Sequence, residues 1–412
     1  MASLIILIYR LLGSILVWPL AFFLRRHSNF KGTLLQRLGL NLPGVPAGEK
    51  TLWIHAASVG EVKAVSGLVG AIKASRPDLF ICMSCMTATG RKMAGETLGV
   101  DLVFAVPFDV PWAMRRHLLK IMPKAVLIVE TEIWPNLILS AQRCAVKVIF
   151  VNARMSVRAH KRYKRFAGVF GHILADVKVF AMAEDDAARF RSIGASEVQV
   201  LGNLKLDQVA VGDKTRRDAL RRELGITDRP VFIAGSVREG EEKEVVDAII
   251  RIASRVHGLY AIIAPRHPDR IQYIKDMAQG LNIKWGLRSA GGTGVDLLIV
   301  DTFGELFILY GLSDAAFVGG SLVDLGGQNI LEPIAWGVPT IHGPHMDNFT
   351  WALDIVQDFT VVVRNARELA NAAVAIFEKQ QGMDEIGLRA RQAMEKLRGV
   401  TGRYLDALDP LL

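Results

Sequence analysis

The sequence predicts an α/β protein of two Rossmann-like lobes with a crevice between them, carried on an N-terminal membrane-anchor helix. Three observations predict it. From residue 51 onward, short apolar runs alternate with helix-length stretches, the rhythm of parallel sheets covered by helices on both faces. The polar stretch DQVAVGDKTRRD, residues 207–218, interrupts that rhythm and divides it into two series of similar length. The chain also opens on an almost wholly apolar stretch that ends at Leu24. Its 412 residues accommodate two domains of ordinary size, and 51% hydrophobic content without low-complexity tracts excludes a disordered or fibrous chain.

The first element is the anchor, residues 1–26. SLIILIY, a single Arg10 and LLGSILVWPLAFFL (11–24) together give about twenty mostly apolar residues, roughly one bilayer crossing as a helix. Arg25, Arg26, Lys31 and Arg37 follow, and no acid precedes Glu49, a charge distribution that holds the downstream chain on the cytoplasmic side. No small-residue cleavage site follows the apolar run, so the segment reads as retained rather than as a signal peptide. Arg10 and Pro19 leave open a helix lying in the interface with a snorkelling arginine.

The first lobe, residues 27–206, contains strand candidates at 51–56, 79–85, 102–106, 124–130, 146–152, 178–182 and 198–202. The second, residues 207–412, contains them at 230–235, 259–265, 297–301, 315–320, 338–341 and 359–363, and a last helical stretch at 367–397 that could pack on either lobe. No GxGxxG opens the first lobe, and P-loop and HExxH motifs are absent. Cys82 and Cys85 form a CxxC inside the strand-like run FICMSCM; with only Cys144 besides, they read as small buried thiols of a reducing compartment. The net charge of +9 calls for an anionic partner. Nucleic acid fits poorly, because aromatic and basic residues do not interleave and the anchor would have no role.

Three clusters follow strands of the first lobe. In HAASVGE, Ser58 and Glu61 have the spacing of a capping box. Glu61 is equally placed at a strand end to serve as a carboxylate base, which a helix N-terminus would make ready but modest. TATGRK offers Thr87 and Arg91 either to an anionic group or merely to a helix start. In VETEIWPN only one of Glu130 and Glu132 is expected to face the crevice, with Glu132 beside Trp134 able to orient sugar hydroxyls. ARMSVRAHKRYKRF (153–166) crowds basic residues, Arg154 among them, without an acid, as a surface facing anionic lipid would. In the second lobe, glycines 326 and 327 precede an expected helix holding Asn329 and Glu332. Its N-terminus could meet a nucleotide phosphate, with Arg266 and His267 nearby.

HAASVGE, ETEIWPN, NARMS, GNLKLD, PRHP, DTFGEL, FVGGSLV and GPHMDNF occur in the order found in the 3-deoxy-D-manno-octulosonic acid (Kdo) transferases of lipopolysaccharide synthesis, which the chain resembles over almost its whole length. The resemblance implies a GT-B glycosyltransferase at the cytoplasmic face of the bacterial inner membrane. Its donor would be CMP-Kdo, its acceptor the lipid A precursor (lipid IVA), its membrane partner anionic phospholipid, with no cofactor and no obligatory metal. It implies Glu61 as base and Ser58, Thr87, Arg91, Glu132 and Arg154 on the acceptor side. Donor contacts are implied for Asn203, Lys205, Gly235, Ser236, Arg266, His267, Gly304, Glu305, Gly327, Asn329 and Glu332. Gln328 and Ile330 stand where the family more often has His and Pro, and Val157 replaces a common acid. A transferase using another nucleotide sugar, such as a UDP-sugar, is the alternative.

Overall fold

The computed structural model describes residues 2–42, 44–210, 212–281, 283–379 and 382–412. They form two compact units: Met1–Gln208 together with Gly399–Leu412, and Val209–Arg398.

Unit 1 is built on a seven-stranded parallel sheet. Its strands are β1 (Lys50–His55), β2 (Leu79–Cys85), β3 (Leu102–Ala105), β4 (Pro123–Val129), β5 (Lys147–Ala153), β6 (Val177–Ala181) and β7 (Glu197–Val200). Their spatial order is β3-β2-β1-β4-β5-β6-β7. The continuous apolar runs are explained by burial on both faces: every residue of β1 after Lys50 is buried. Unit 2 repeats the plan with β8 (Val231–Val237), β9 (Tyr260–Pro265), β10 (Trp285–Leu287), β11 (Leu297–Ile299), β12 (Ala315–Val318), β13 (Thr340–His342) and β14 (Thr360–Val362). The order is β10-β11-β9-β8-β12-β13-β14. β10 is the strand that the sequence reading missed. It is a half-buried edge strand with Gly286 at its centre, so it has neither a long apolar run nor β-branched residues to announce it.

Both sheets reverse direction of build-up beside their first strand, at β1/β4 and at β8/β12. Ligands of doubly wound sheets bind beyond the carboxyl ends of the strands at such a switch point.

Helix α1, Ala2–Leu24, is long and apolar enough to cross a membrane, yet it is not a free tether. Ile6, Val17 and Ala21 are buried against unit 1, and Trp18 stacks on Trp112 with centroids 5.8 Å apart. The Tyr9 hydroxyl donates to Asp109 at 2.8 Å. Much of the rest of α1, including Leu4, Leu7, Leu11, Ile15 and Phe22, is exposed. Arg37, read from sequence as part of the basic flank, is instead 1% exposed. Its guanidinium donates to the carbonyls of Met86 at 2.6 Å and Val106 at 3.0 Å, so it ties the chain after the anchor to the ends of β2 and β3.

The stretch 367–397 is not one helix. Ala366–Phe377 and Met383–Glu395 both belong to unit 2, and it is Val400–Leu408 that lies in unit 1. There the Tyr404 hydroxyl accepts the Asn152 N–H at 3.0 Å and donates to Phe180 O at 3.1 Å.

Candidate functional site

In unit 1 the switch-point loops carry the acids. β1 ends at His55, and helix α2 (Val59–Ser75) starts after Ser58, whose hydroxyl caps it by accepting Glu61 N–H at 3.4 Å. The Glu61 carboxylate reaches back to accept Ala57 N–H at 2.7 Å and the Ser58 hydroxyl at 3.1 Å. The capping pair is therefore formed, with the return bond to Ala57 N–H rather than to the N–H of Ser58 itself. It does not make Glu61 an ordinary acid: burial pushes its pKa up to about 7, aided by the nearby charges of Glu130 and Glu132. The low pKa expected from the helix N-terminus is thus overturned, because desolvation outweighs the cap's two hydrogen bonds.

Both acids of the β4 loop lie close enough to act on Glu61, against the expectation that only one would face the site. Glu130 has φ 58°, turning the chain sharply after β4, and accepts from Lys205 Nζ at 3.3 Å. Glu132 accepts the Trp134 indole N–H at 2.7 Å, and burial raises its pKa. Trp134 in turn meets His55 edge to face at 5.7 Å. His55 is fully buried, and its pKa is pushed down to about 4, which makes it a neutral packing group rather than a proton shuttle.

The remaining first-lobe candidates take supporting positions. Thr87 caps helix α3 (Ala88–Gly95) through Gly90 N–H at 3.0 Å. Arg91, half-buried, donates to the carbonyls of Met86 and Asn29. Arg154 follows β5 near Asp186. Asn203 and Lys205, implied as donor contacts, belong to unit 1, where the Asn203 side chain accepts Lys205 N–H at 3.0 Å. Cys82 and Cys85 are buried thiols pushed up to about 12.

In unit 2 the glycines are forced by packing. A Cβ on Gly235 would lie 2.1 Å from the Tyr310 hydroxyl, and one on Gly327 2.2 Å from Met346 Sδ. Ser236 follows with φ 55°. Ser236, Arg266 and Gly304 line one cavity of about 130 Å³ beyond the ends of β8 and β9. Arg266 also lies near Glu332, whose pKa burial raises and Asn329 and Arg266 pull back down. Asn329 donates to Glu332 at 3.1 Å. The helix expected to contain both begins only at Leu331 and has five residues, so Asn329 precedes it. A phosphate there would meet the glycine-rich turn and Arg266 more than a helix dipole. His267 is exposed beside the cavity. Glu305 is engaged by Arg288 at 3.1 Å and by the Thr302 hydroxyl.

Glu241, which sequence reasoning passed over among the acids of GSVREGEE, is fully buried. It accepts from Arg238 N–H at 2.8 Å, from Gly320 N–H, and from the N–H groups of Ser321 and Leu322 at 3.3 and 3.2 Å. It thereby fixes the turn after β12. Among the described residues, Asp324, His345 and Asp347 bring potential ligand atoms within 4.8 Å of one another, all at least partly exposed.

Two Rossmann-like units with acids at one switch point and glycine turns at the other define a glycosyltransferase of the two-lobed GT-B class. A glycosyltransferase structure from Rickettsia africae matches with a TM-score of 0.58 over 88% of this chain and 99% of its own, at 14% identity, a likeness of fold. The family model of 3-deoxy-D-manno-octulosonic-acid transferase matches residues 33–208. The 3-deoxy-D-manno-octulosonic acid transferase of Haemophilus influenzae is 32% identical over 373 residues, covering 88% of this chain and 87% of its own. That of Bordetella pertussis is 34% identical over 388 residues, covering 88% and 87%. The chain belongs to the 3-deoxy-D-manno-octulosonic acid transferase family.

Proposed function

We propose that the protein transfers Kdo, with inversion, from CMP-Kdo to the lipid A precursor at the cytoplasmic face of the inner membrane, with Glu61 as general base. The observation that carries the assignment is a carboxylate at the unit 1 switch point whose pKa is about 7, matched to proton transfer near neutrality. Kdo transfer itself follows from the relatives that define the family.

Glu61 takes the proton of an acceptor hydroxyl as that oxygen bonds to the ketosidic carbon of Kdo. The bond from that carbon to the CMP phosphate oxygen breaks, and its electron pair leaves with CMP. Glu132, held by Trp134, orients acceptor hydroxyls, and Ser58 steadies the base. The leaving phosphate needs no dedicated general acid: Arg266 meets its developing charge, and Asn329 and Glu332 hold the nucleotide. Since a cationic side chain serves the phosphate, the reading requires no metal, and a chelator should leave the initial rate unchanged. The basic segment Val157–Lys164, with no buried residue, faces anionic phospholipid.

Glu61→Gln retains the volume and the cap but not the basicity. The initial rate at saturating CMP-Kdo should fall about 10²–10⁴-fold, with CMP affinity unchanged. A near-normal rate would remove Glu61 from this role and transfer it to Glu132. Competition tests the donor: CMP should inhibit far more strongly than UDP.

A further inference from the structure

The cavity between α1 and two helices of unit 1, α4 (Pro111–Ile121) and α5 (Pro135–Arg143), has no part in the chemistry above. It encloses about 530 Å³ and is lined by Arg10, Arg115 and Arg143 together with Trp112, Leu119 and Cys144. We propose that it is a binding site for the phosphate of an anionic phospholipid headgroup, held by the three guanidiniums with the lipid's apolar part against Trp112 and Leu119.

The charge pattern favours an anion. Arg10 and Arg143 are close enough to repel each other, and among the described residues none of the three arginines makes an ion pair. Asp109, the acid beside the cavity, is already occupied. It accepts from the Tyr9 hydroxyl at 2.8 Å, and from the N–H groups of Asn136 and Leu137 at 3.1 and 3.0 Å, at the start of α5. Guanidinium groups pair with phosphate through two parallel hydrogen bonds, and are less costly to dehydrate than ammonium groups.

The surroundings select a lipid as the source of that phosphate. The cavity borders α1, whose Leu4, Leu7, Leu11, Ile15 and Phe22 are exposed, and Leu119 is 52% exposed at its rim. A cation cluster against apolar side chains, beside a membrane-associated helix, matches the boundary between headgroups and acyl chains. The volume is within the range of sites that enclose small organic ligands, about 300–1,000 Å³.

The inference rests on α1 being membrane-bound, and the test separates the two. The full chain is mixed with phosphatidylcholine vesicles, or with vesicles in which about a fifth of that lipid is replaced by phosphatidylglycerol. Co-sedimentation reports anchoring, and the rate of Cys144 alkylation by a maleimide, followed by intact-mass spectrometry, reports the cavity. Cys82 and Cys85 are buried and serve as silent internal controls. Phosphatidylglycerol should slow Cys144 alkylation several-fold at equal sedimentation. Arg143→Gln and Arg115→Gln should abolish that difference, Arg143→Lys should retain part of it, and Arg162→Gln, on the other basic surface, should leave it intact. Equal rates in the two vesicle types would overturn the site, as would full protection in Arg143→Gln. Equal protection by inorganic phosphate over phosphatidylcholine would replace the lipid with a free anion. Failure to sediment with either vesicle would remove the anchor and the site with it.

Discussion

Glu61 stands under two influences that pull its ionisation in opposite directions. Ala57 N–H and the Ser58 hydroxyl favour the charged form; burial and the charges of Glu130 and Glu132 favour the protonated form and prevail, at about 7. The transfer rate should therefore rise as pH increases through about 7, and this limb should disappear in Glu61→Gln. A limb centred near the ordinary glutamate value would remove Glu61 as its source. Stability should follow the opposite course. The folded-state pKa of about 7 lies above the ordinary 4.5. The contribution of Glu61 to stability is thus complete below the lower value and is lost as pH rises through the higher. Glu61→Gln keeps a cap acceptor without the charge, so its Tm should gain on the wild type between pH 5 and pH 8. A constant Tm difference across that range would mean that the carboxylate is not strained. The S-x-x-E spacing and the strand-end position made Glu61 legible in the sequence. Its pKa was not legible, because burial, its main cause, and the approach of Glu130 and Glu132 are set by non-local packing such as the pairing of β1 with β4.

At the scale of elements, the sequence showed runs and hid their partners. The strands with apolar runs could be read off, whereas β10 and the docking of α1 depend on non-local packing. Because Ile6, Val17 and Ala21 are buried in unit 1, removing residues 1–26 should do more than release the protein from membranes. Burying one such aliphatic side chain contributes about 1.5–3 kcal/mol, so the truncated chain should also melt lower and expose Leu38, Val110 and Ala113. Sedimentation with vesicles and thermal unfolding of the same preparation check both effects. An unchanged Tm would mean that α1 does not hold to the lobe in solution. The end of β8 gives a second test. With only 2.1 Å available between a new Cβ and the Tyr310 hydroxyl, Gly235→Ala should cost about 1–3 kcal/mol by overpacking. It should weaken CMP binding more than Glu61→Gln does, as calorimetric titration would show.

The whole molecule uses one plan twice, a seven-stranded parallel sheet whose order reverses at its first strand, and this is why two series of apolar runs were enough to predict two lobes. The route of the chain's end is another matter. Unit 1 is completed only after unit 2 has been traversed, when Val400–Leu408 returns to it, and no local pattern distinguishes that helix from those before it. The contacts are specific: Asp207 accepts Gly399 N–H at 2.8 Å and Thr401 N–H at 2.6 Å, Lys124 donates to the carbonyl of Leu412 at 2.8 Å, and Tyr404 satisfies buried backbone of β5 and β6. Unit 1 should accordingly depend on the last residues although its sheet ends near residue 200. Tyr404→Phe leaves Asn152 N–H without its acceptor, a loss worth about 1–3 kcal/mol for a buried group; deletion of residues 399–412 removes the whole set. Hydrogen–deuterium exchange followed by peptide should show faster exchange in β5, β6 and β7 for both variants, greater for the deletion, with β8, β9 and β12 unchanged. Equal acceleration in both units would mean that the protein unfolds as one cooperative body, and protection unchanged in β5 to β7 would reduce the returning helix to a surface attachment.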